Sequence, residues 1–388
     1  MSPQDHPNSG PNSGPNSEPA SGPASGPDSG PEIAIIGAGC AGLSLARRLA
    51  LDGIRQVKLF GPLSQAATTG HSWGFWATEG LEDQISLAAH SWPKWQIITS
   101  AQKITQSADA HPYCRLDSRT WLNQCLETIN GHVPLNTACL PAPDAGLVFD
   151  SRPPSVPDGA MLQHFRGVEI KTNSPCFDPE TAILMDFRCD QSRGIHFIYL
   201  LPFSPDEALV ESTMFSPTPE EETFYEQAIE RYLAAYWATG GYQIRHREAG
   251  CIPMAFLSPV DTNLLPIGAN GGCVRPSSGY AFSFIQRQVD EISQYLATDG
   301  GKMNRSRLPR PIRRFDLFLD KIFLRVIRSH PEAAPDLFAR IAARLTGDEF
   351  ARFMSGLADF STYAKLITAM PTGLFLRALW DRGNEQHK

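Results

Sequence analysis

The chain has 388 residues, of which 42% are hydrophobic and 19% are charged, a balance typical of a globular protein with one large or two modest domains. A net charge of −7 argues against nucleic acid as a partner. The eight cysteines include no C-x-x-C pair and the ten histidines include no H-x-x-x-H pair, so we expect reduced thiols and no metal site.

The first 31 residues are of low complexity, with proline at every fourth position among Asn, Ser, Gly and Ala. This segment has little apolar surface to bury, so we expect a disordered tail at residues 1–31, with binding of a partner as an alternative role. It lacks the apolar segment of a signal peptide, and the chain has no run of about 18 apolar residues that predicts a membrane-spanning helix. We therefore expect a cytoplasmic protein that does not span a membrane.

A glycine fingerprint follows the tail. The apolar residues 33–36 predict a strand, the next residues read G-x-G-x-x-G, and residues 43–51 have apolar positions at helical spacing. In this setting the pattern predicts a dinucleotide site with the pyrophosphate at the helix N-terminus, and a glycine-rich turn without a ligand is the alternative. The acid that usually binds the ribose is missing after the second strand, where Gly61 stands. The cofactor-binding residues predicted here are Gly37, Ala38, Gly39, Cys40, Ala41 and Gly42.

Two later segments also combine a strand with a small or glycine-rich turn. Residues 147–150 predict a buried strand before a polar turn, and residues 264–272 run into glycines ahead of a helix predicted at 281–296. Such turns let the backbone approach a ligand closely, whereas an ordinary strand–helix unit is the alternative. The further cofactor contacts predicted here are Asp150, Arg152, Gly268, Gly279 and Tyr280.

Residues 71–110 are rich in tryptophan and include Trp73, Trp76, Trp92 and Trp95. Clustered tryptophans usually pack in a core, and the alternative is that they line a pocket for a long apolar ligand. The number of aromatic residues by itself favours the core.

The candidate catalytic residue is Glu211, in a β-rich region at residues 161–215. A period of two places Glu211 on the same strand face as Leu209 and Phe215, so its carboxyl group has apolar neighbours. Burial disfavours the ionised carboxylate and raises its pKa, which suits a proton donor. An exposed glutamate on an edge strand is the alternative.

The C-terminal part of the chain, residues 311–388, has apolar positions at helical spacing, edged with arginines. Leu337, Ile341 and Leu345 illustrate the spacing. The pattern predicts a packed helical region, with contact to a membrane surface as an additional role.

Taken together and in this order, the motifs resemble the bacterial, flavin-dependent lycopene cyclases. The resemblance covers about residues 32–380. The segments that carry it are residues 37–42, 71–73, 148–152, 163–170, 185–188, 201–203, 208–213, 248–254, 268–280, 320–325 and 353–356, with Gln191.

The resemblance implies an α/β (α+β) class, namely a FAD-binding, Rossmann-like flavoprotein fold with an inserted β-rich substrate domain and C-terminal helices. A discontinuous FAD-binding domain is implied at residues 32–62, 111–160 and 245–296. The implied substrate-binding domain comprises residues 63–110 and 161–244, and a helical C-terminal region, also in contact with the membrane, comprises residues 297–388.

The resemblance also implies a lycopene beta-cyclase activity, with Glu211 as the acid or as the group that stabilises the cation. A proton starts ring closure at the ψ-ends of lycopene, giving γ-carotene and then β-carotene without net redox change. The implied cofactor is reduced FAD, with NAD(P)H as its reductant. The implied partners are lycopene and other carotenoids, the membrane surface at which the protein is peripheral, and other enzymes of carotenoid synthesis. The chain departs from the family at Ser212 and Gly61, where an acid is common.

Two other functions stay open at the level of the sequence. A FAD-dependent monooxygenase or reductase that acts on an apolar isoprenoid would use the same fingerprint. A non-catalytic carotenoid-binding protein would bind lycopene and release it unchanged.

Overall fold

The computed structural model describes residues 32–63, 70–137, 146–298 and 303–380. The tail predicted at residues 1–31 and the last eight residues of the predicted C-terminal region, 381–388, lie outside the described residues. The described strands are, in chain order, β1 (Ile33–Ala38), β2 (Val57–Leu63), β3 (Ser72–Trp76), β4 (His90–Trp92), β5 (Lys94–Ile98), β6 (Lys103–Ser107), β7 (Tyr113–Asp117), β8 (Leu135–Asn136), β9 (Leu147–Asp150), β10 (Met161–Thr172), β11 (Thr181–Asp186), β12 (Ile195–Pro202), β13 (Glu207–Ser216), β14 (Tyr242–Met254) and β15 (Leu265–Pro266).

The helices are concentrated toward the C-terminus, as the spacing of apolar residues predicts. The described α-helices are α1 (Cys40–Leu51), α2 (Glu82–Ser86), α3 (Ser118–Ile129), α4 (Glu222–Tyr236), α5 (Phe282–Thr298), α6 (Arg314–Ser329), α7 (Ala334–Arg344), α8 (Gly347–Met354), α9 (Phe360–Ala369) and α10 (Thr372–Trp380). Short 3₁₀ turns lie at Gly268–Gly271, Arg305–Arg307 and Pro331–Ala333.

A parallel sheet of five strands, in the order β15-β9-β1-β2-β8, holds the fingerprint. Its central strand β1 is almost entirely buried, which explains its continuous apolar run. The helix α1 follows at once and packs against α3 and α5. This arrangement confirms the predicted α/β class and its Rossmann-like core.

A second sheet has seven strands in the order β14-β10-β13-β12-β11-β5-β6. Its strands pair antiparallel, except for the parallel pair β5 and β11. One face packs against α4, with Val210 of β13 in the same core cluster as Leu233 of that helix. The other face, which includes Leu209 and Phe215, belongs to a core cluster shared with the C-terminal helices α6–α9. The alternation predicted for residues 209–215 therefore separates these two layers.

Strand pairing bears on the boundary expected between the substrate-binding domain, which ends at residue 244, and the FAD-binding segment, which starts at residue 245. The strand β14 crosses this boundary and pairs with β10 from Met254 to Tyr242. Residues 245–254 therefore share a sheet with the segment at 161–244, and we propose that the FAD-binding segment starts after Met254.

Arg275 ties the C-terminal helices to the segment before α5. Its side chain is fully buried, and its guanidinium donates to both carboxylate oxygens of Asp320 on α6 at 3.2–3.3 Å and to the backbone carbonyl of Phe353 on α8. Asp316, one turn earlier on α6, lies 3.9 Å from the guanidinium and accepts a hydrogen bond from Tyr363 of α9 at 2.8 Å. One buried cation thus joins several elements.

Replacing this cation should destabilise the chain. In Arg275→Met, two buried carboxylates lose their counter-charge, so we expect the free energy of unfolding to fall by about 3–5 kcal/mol. Chemical denaturation followed by circular dichroism measures the change. The control is Arg193→Met, which breaks an exposed ion pair with Glu220 and should cost about 0–1 kcal/mol. Equal stability of the two variants would contradict the structural role of Arg275.

Candidate active site

The fingerprint forms a cradle in which side chains have no room. Gly37 has a φ of +99°, and a Cβ atom on Gly42 would lie 1.8 Å from the carbonyl oxygen of Gly37. The helix α1 starts directly after Gly39, which has no side chain that could cap the helix. The first N–H groups of α1 therefore stay available for an anion, as a pyrophosphate site requires.

The polar turns after β9 and β15 lie beside this cradle. Ile36 of β1 is in register with Asp150 of β9, which is in register with Pro266 of β15. The hydroxyl group of Ser151 donates to the carbonyl oxygens of Ile36 and Gly37 at 2.8 and 3.0 Å. A Cβ atom on Gly268 would lie 2.5 Å from the Cβ atom of Ala41. Residues predicted from three distant segments thus meet at the carboxyl ends of neighbouring parallel strands.

Asp150 and Arg152 lie in the same turn and bind each other. Asp150 is fully buried, and its two carboxylate oxygens accept from Nε and Nη2 of Arg152 at 2.9 and 2.8 Å. The Arg152 side chain keeps 34% of its surface exposed. The carboxylate of Asp150 therefore orients the arginine, and the arginine presents its charge to the outside.

A cavity of about 770 Å³ lies between the seven-stranded sheet and the helices α6–α10. Its lining is mostly apolar and aromatic, and one end includes Cys40 of the fingerprint with Gly279 and Tyr280. The cavity thus joins the dinucleotide cradle to the face of the sheet that carries Glu211. Aromatic residues of its lining are Phe165, Phe197, Phe215, Phe323, Phe338 and Phe350.

The tryptophans of residues 71–110 divide between core and cavity. Trp76, Trp92 and Trp95 are buried in the core cluster below the C-terminal helices, which confirms the core interpretation for them. Trp73 is half-buried and lines the cavity, so the alternative applies to this residue.

Glu211 lies in the middle of the sheet and lines the cavity. Its strand β13 has β10 on one side and β12 on the other, so the edge-strand alternative is wrong. Only 8% of the residue is exposed. In register with Glu211 are Tyr199 of β12 and Gly167 of β10, and Gly167 is in turn in register with Glu248 of β14. These four residues form one row across the sheet, on the face that meets the cavity.

The surroundings of Glu211 favour its protonated form. Burial raises the pKa of the Glu211 carboxyl group well above its usual value, and the nearby carboxyl group of Glu248 raises that pKa further by repulsion and hydrogen bonding. The positive charge of Arg115 acts in the opposite direction. Arg115 is itself paired with Glu169 at 2.5 Å, which weakens its effect on Glu211. The protonated form of this acid is therefore favoured where it faces a largely apolar cavity.

Three phenol groups meet beside Glu211. The hydroxyl groups of Tyr199 and Tyr280 bind that of Tyr113 at 3.0 and 3.2 Å. Burial raises the pKa of all three phenols well above the usual value, so they stay neutral. A Cβ atom on Gly74 would lie 2.0 Å from the Tyr113 hydroxyl oxygen, so glycine is needed there to admit the phenol.

Position 212 faces the other side of the sheet. The hydroxyl group of Ser212 is bound to His196 at 2.9 Å, within the layer covered by α4. An acid at this position would therefore point away from the cavity. The carboxyl group that does meet Glu211 is that of Glu248, and sequence reasoning assigned no role to it.

The residues that sequence reasoning missed here are Glu248, Gly167, Tyr113 and Tyr199. Glu248 belongs to β14, an edge strand whose residues are mostly exposed or half-buried, so no apolar alternation marks it. A polar residue aligned with Glu211 could be found only by knowing the register of β10 with β13 and β14.

Residues 32–121 match a sequence model described as FAD dependent oxidoreductase. The lycopene beta-cyclase of Paracoccus sp. (strain N81106 / MBIC 01143) is 24% identical over 384 residues, covering 90% of this chain and 97% of that protein. The lycopene beta-cyclase of Pantoea ananas is 23% identical over 289 residues, covering 68% of this chain and 74% of that protein.

Solved structures share the fold at low sequence identity. The flavin-dependent brominase Bmp2 gives a TM-score of 0.58 with 12% identity, covering 92% of this chain and 99% of that one. A geranylgeranyl bacteriochlorophyll reductase-like protein from Thermoplasma acidophilum gives 0.54 with 11% identity, covering 90% and 98%. A family model described as Lycopene cyclase protein matches residues 141–379, more than half of the sequence. This chain therefore belongs to the lycopene cyclase protein family.

Proposed function

We propose that this chain is a lycopene beta-cyclase, which converts the ψ-ends of lycopene into β-ionone rings. The observation that carries the proposal is the buried carboxyl group of Glu211, which lines a largely apolar cavity and has its pKa raised by burial and by Glu248. An acid that stays protonated in an apolar site can protonate a carbon–carbon double bond of a hydrocarbon. The relatives in this family are named lycopene beta-cyclases, and cyclisation of lycopene is consistent with that chemistry.

The reaction follows from one proton transfer. Glu211 gives its proton to the terminal double bond of a ψ-end, and a tertiary carbocation forms. A neighbouring double bond attacks this cation and closes the ring, and loss of a ring proton restores a double bond. The carboxylate left on Glu211 stabilises the cation and can take up the released proton, so no net change in protons or electrons results.

The cavity protects the cation. Its lining includes the aromatic rings of Phe165, Phe197 and Phe215 on the sheet, and the π-electron face of such a ring attracts positive charge. The neutral phenols of the tyrosine cluster add no acid that competes with Glu211. Exclusion of water by the apolar lining keeps the cation from being trapped as an alcohol.

FAD is the proposed cofactor, because the glycine cradle and the open N-terminus of α1 fit a dinucleotide pyrophosphate. Residues 37–42 would hold the pyrophosphate, and Arg152, Gly268, Gly279 and Tyr280 are further proposed contacts, with Asp150 orienting Arg152. Reduced flavin supplies negative charge near the site when it is bound, and NAD(P)H is its proposed reductant.

The membrane surface is the proposed source of the substrate. No helix within the described residues combines the length and hydrophobicity needed to cross a bilayer. Ile367 of α9 and Leu376 of α10 line the cavity and are also 52% and 58% exposed, so they mark a mouth of the cavity. Phe360 and Trp380 on the same two helices are 87% and 84% exposed. This apolar rim suits a peripheral protein that takes lycopene from a bilayer.

Glu211→Gln tests the proposed acid. The variant keeps the size of the side chain but has no transferable proton, so we expect β-carotene formation to fall by about 100-fold or more with FAD content unchanged. Expression in a bacterial host that accumulates lycopene, followed by pigment chromatography, gives the measurement. Glu226→Gln, a surface substitution on α4, is the control.

Two results of this experiment and one from a separate assay in vitro would count against the proposal. Wild-type turnover in Glu211→Gln would contradict the role of Glu211. Unchanged lycopene with FAD-loaded wild-type protein would favour a carotenoid-binding protein. In an anaerobic assay with pre-reduced flavin, absence of activity until oxygen or stoichiometric NAD(P)H is added would favour a monooxygenase or reductase.

Glu211→Gln should also be more stable than the wild type at neutral pH. The pKa of Glu211 is higher in the folded chain than in the unfolded chain, where it is about 4.5. The contribution of Glu211 to stability is therefore full below pH 4.5 and is lost as the pH rises through the pKa of the folded state. Glutamine does not titrate, so the difference in melting temperature should grow from pH 4 to pH 7. A difference that does not depend on pH would contradict the raised pKa.

Gly42→Ala tests the cofactor cradle. The added methyl group would meet the Gly37 carbonyl oxygen, so we expect purified protein with almost no bound flavin. Flavin absorbance per polypeptide measures this, with circular dichroism to check folding. The control is Gly373→Ala, at a helical glycine whose Cβ atom would meet no neighbour within 4 Å. Normal flavin content in Gly42→Ala would contradict the proposed cradle.

Leu376→Glu tests the membrane rim. Removing one leucine that the bilayer would bury and adding a negative charge should weaken binding to vesicles of phosphatidylcholine and phosphatidylglycerol by about tenfold or more. Leu51→Glu, at a leucine of α1 that is 53% exposed, is the matched control. Co-sedimentation with vesicles measures both variants. Equal binding by the two variants would place the contact elsewhere.

A further inference from the structure

The side chains of Glu211 and Glu248 meet above Gly167 of the strand between them. They belong to strands that are not neighbours, because β10 lies between β13 and β14. Both are in register with Gly167, and side chains in register point to the same face. A Cβ atom on Gly167 would lie 2.6 Å from Cγ of Glu211 and 3.3 Å from Cγ of Glu248. Glycine at this position therefore lets two carboxyl groups approach across an intervening strand.

Glu248 is held as a hydrogen-bond acceptor. Its Oε2 accepts the backbone N–H of Ser72 at 2.9 Å. Its Oε1 is buried and, among the described residues, finds no donor as long as both carboxyl groups are ionised. A proton on Glu211 supplies a donor to Glu248, and hydrogen bonding between the two carboxyl groups favours the protonated form of Glu211.

The two carboxyl groups have different access to the cavity. Glu211 is part of the cavity lining, whereas Glu248 is not and lies behind it, against Ser72 of β3. Other polar groups near Glu211 are the phenols of Tyr113 and Tyr199, with Tyr280 bound to Tyr113, and the guanidinium of Arg115, which is paired with Glu169. Among these groups Glu248 is the one placed to accept a proton from Glu211.

We propose that Glu248 is a positioning residue of the cyclisation, an ionised acceptor fixed by Ser72 that keeps one shared proton on Glu211 at the cavity wall. The proposal rests on the proposed cyclase function. Before turnover the pair holds one proton. When Glu211 gives that proton to the double bond, both groups are ionised until the proton lost from the ring restores the pair. The charge of Glu248 therefore keeps the acid loaded at neutral pH and adds to the stabilisation of the cation.

The pH profile of Glu248→Gln tests this role. The rate of cyclisation by the wild type should fall at alkaline pH, as Glu211 loses its proton. This fall is the alkaline limb of the pH profile. Removing the negative charge of Glu248 makes ionisation of Glu211 easier, so the alkaline limb should move to lower pH by about 1 unit or more, with activity kept on the acidic side. Glu226→Gln, which removes a carboxylate paired with Arg247 next to Glu248, should leave the limb in place.

A second variant keeps both carboxyl groups and changes only their separation. Gly167→Ala puts a methyl group between them, so its alkaline limb should shift in the same direction as that of Glu248→Gln. An equal loss of activity at every pH in both variants, or an unshifted limb in both, would overturn the proposal, because a merely structural role does not move the limb.

Infrared titration makes the test independent of turnover. The carbonyl band of a protonated carboxylic acid should persist at neutral pH in the wild type, be absent in Glu211→Gln and disappear at lower pH in Glu248→Gln. If the band behaves in this way but lycopene is not cyclised, the proton-sharing pair stands and the proposed function fails. If lycopene is cyclised but the wild type shows no such band at neutral pH, the pair proposed here is wrong and the cyclase function stands.

Discussion

In the seven-stranded sheet, β10 runs between β13 and β14 in a register that aligns Glu211, Gly167 and Glu248 in a single row. A shift of one residue in either pairing would turn one of the two carboxyl groups to the opposite face, which packs against α4. For β13, hydrophobic alternation on both faces holds the register, because Val210 and Leu209 belong to different core clusters. The position of the acid is therefore a consequence of how the sheet is packed.

The same packing sets the chemistry of the acid. A carboxyl group removed from water is expensive to ionise, and repulsion by a second, neighbouring carboxyl group makes ionisation more expensive still. The protein thus gives up some stability at neutral pH in order to hold a proton in an apolar cavity. Such a cost at one residue is characteristic of functional sites, where local rules of burial are broken for a purpose.

The cavity joins parts of the chain that lie far apart in sequence. Its walls come from the seven-stranded sheet, from the fingerprint at Cys40 and from the helices at the C-terminus. The buried pair of Arg275 and Asp320 connects the segment before α5 to α6, and Ser277 also donates to Asp320 at 2.7 Å. Gly279 and Tyr280 follow directly, so the same contacts set the position of the residues between cradle and acid.

The fold class was implied by the family resemblance, whereas local patterns in the sequence were sufficient for the strand–turn–helix of the fingerprint, the helical C-terminal region and the buried face around Glu211. Each of these depends on a spacing of a few residues, which fixes the faces of a single helix or strand. The partnership of Glu211 with Glu248, the turn of Ser212 toward His196 and the cluster of three phenols were decided only by the tertiary structure. They depend on the register between strands that are distant in sequence, and that register is set by packing of the whole sheet, which no local pattern records.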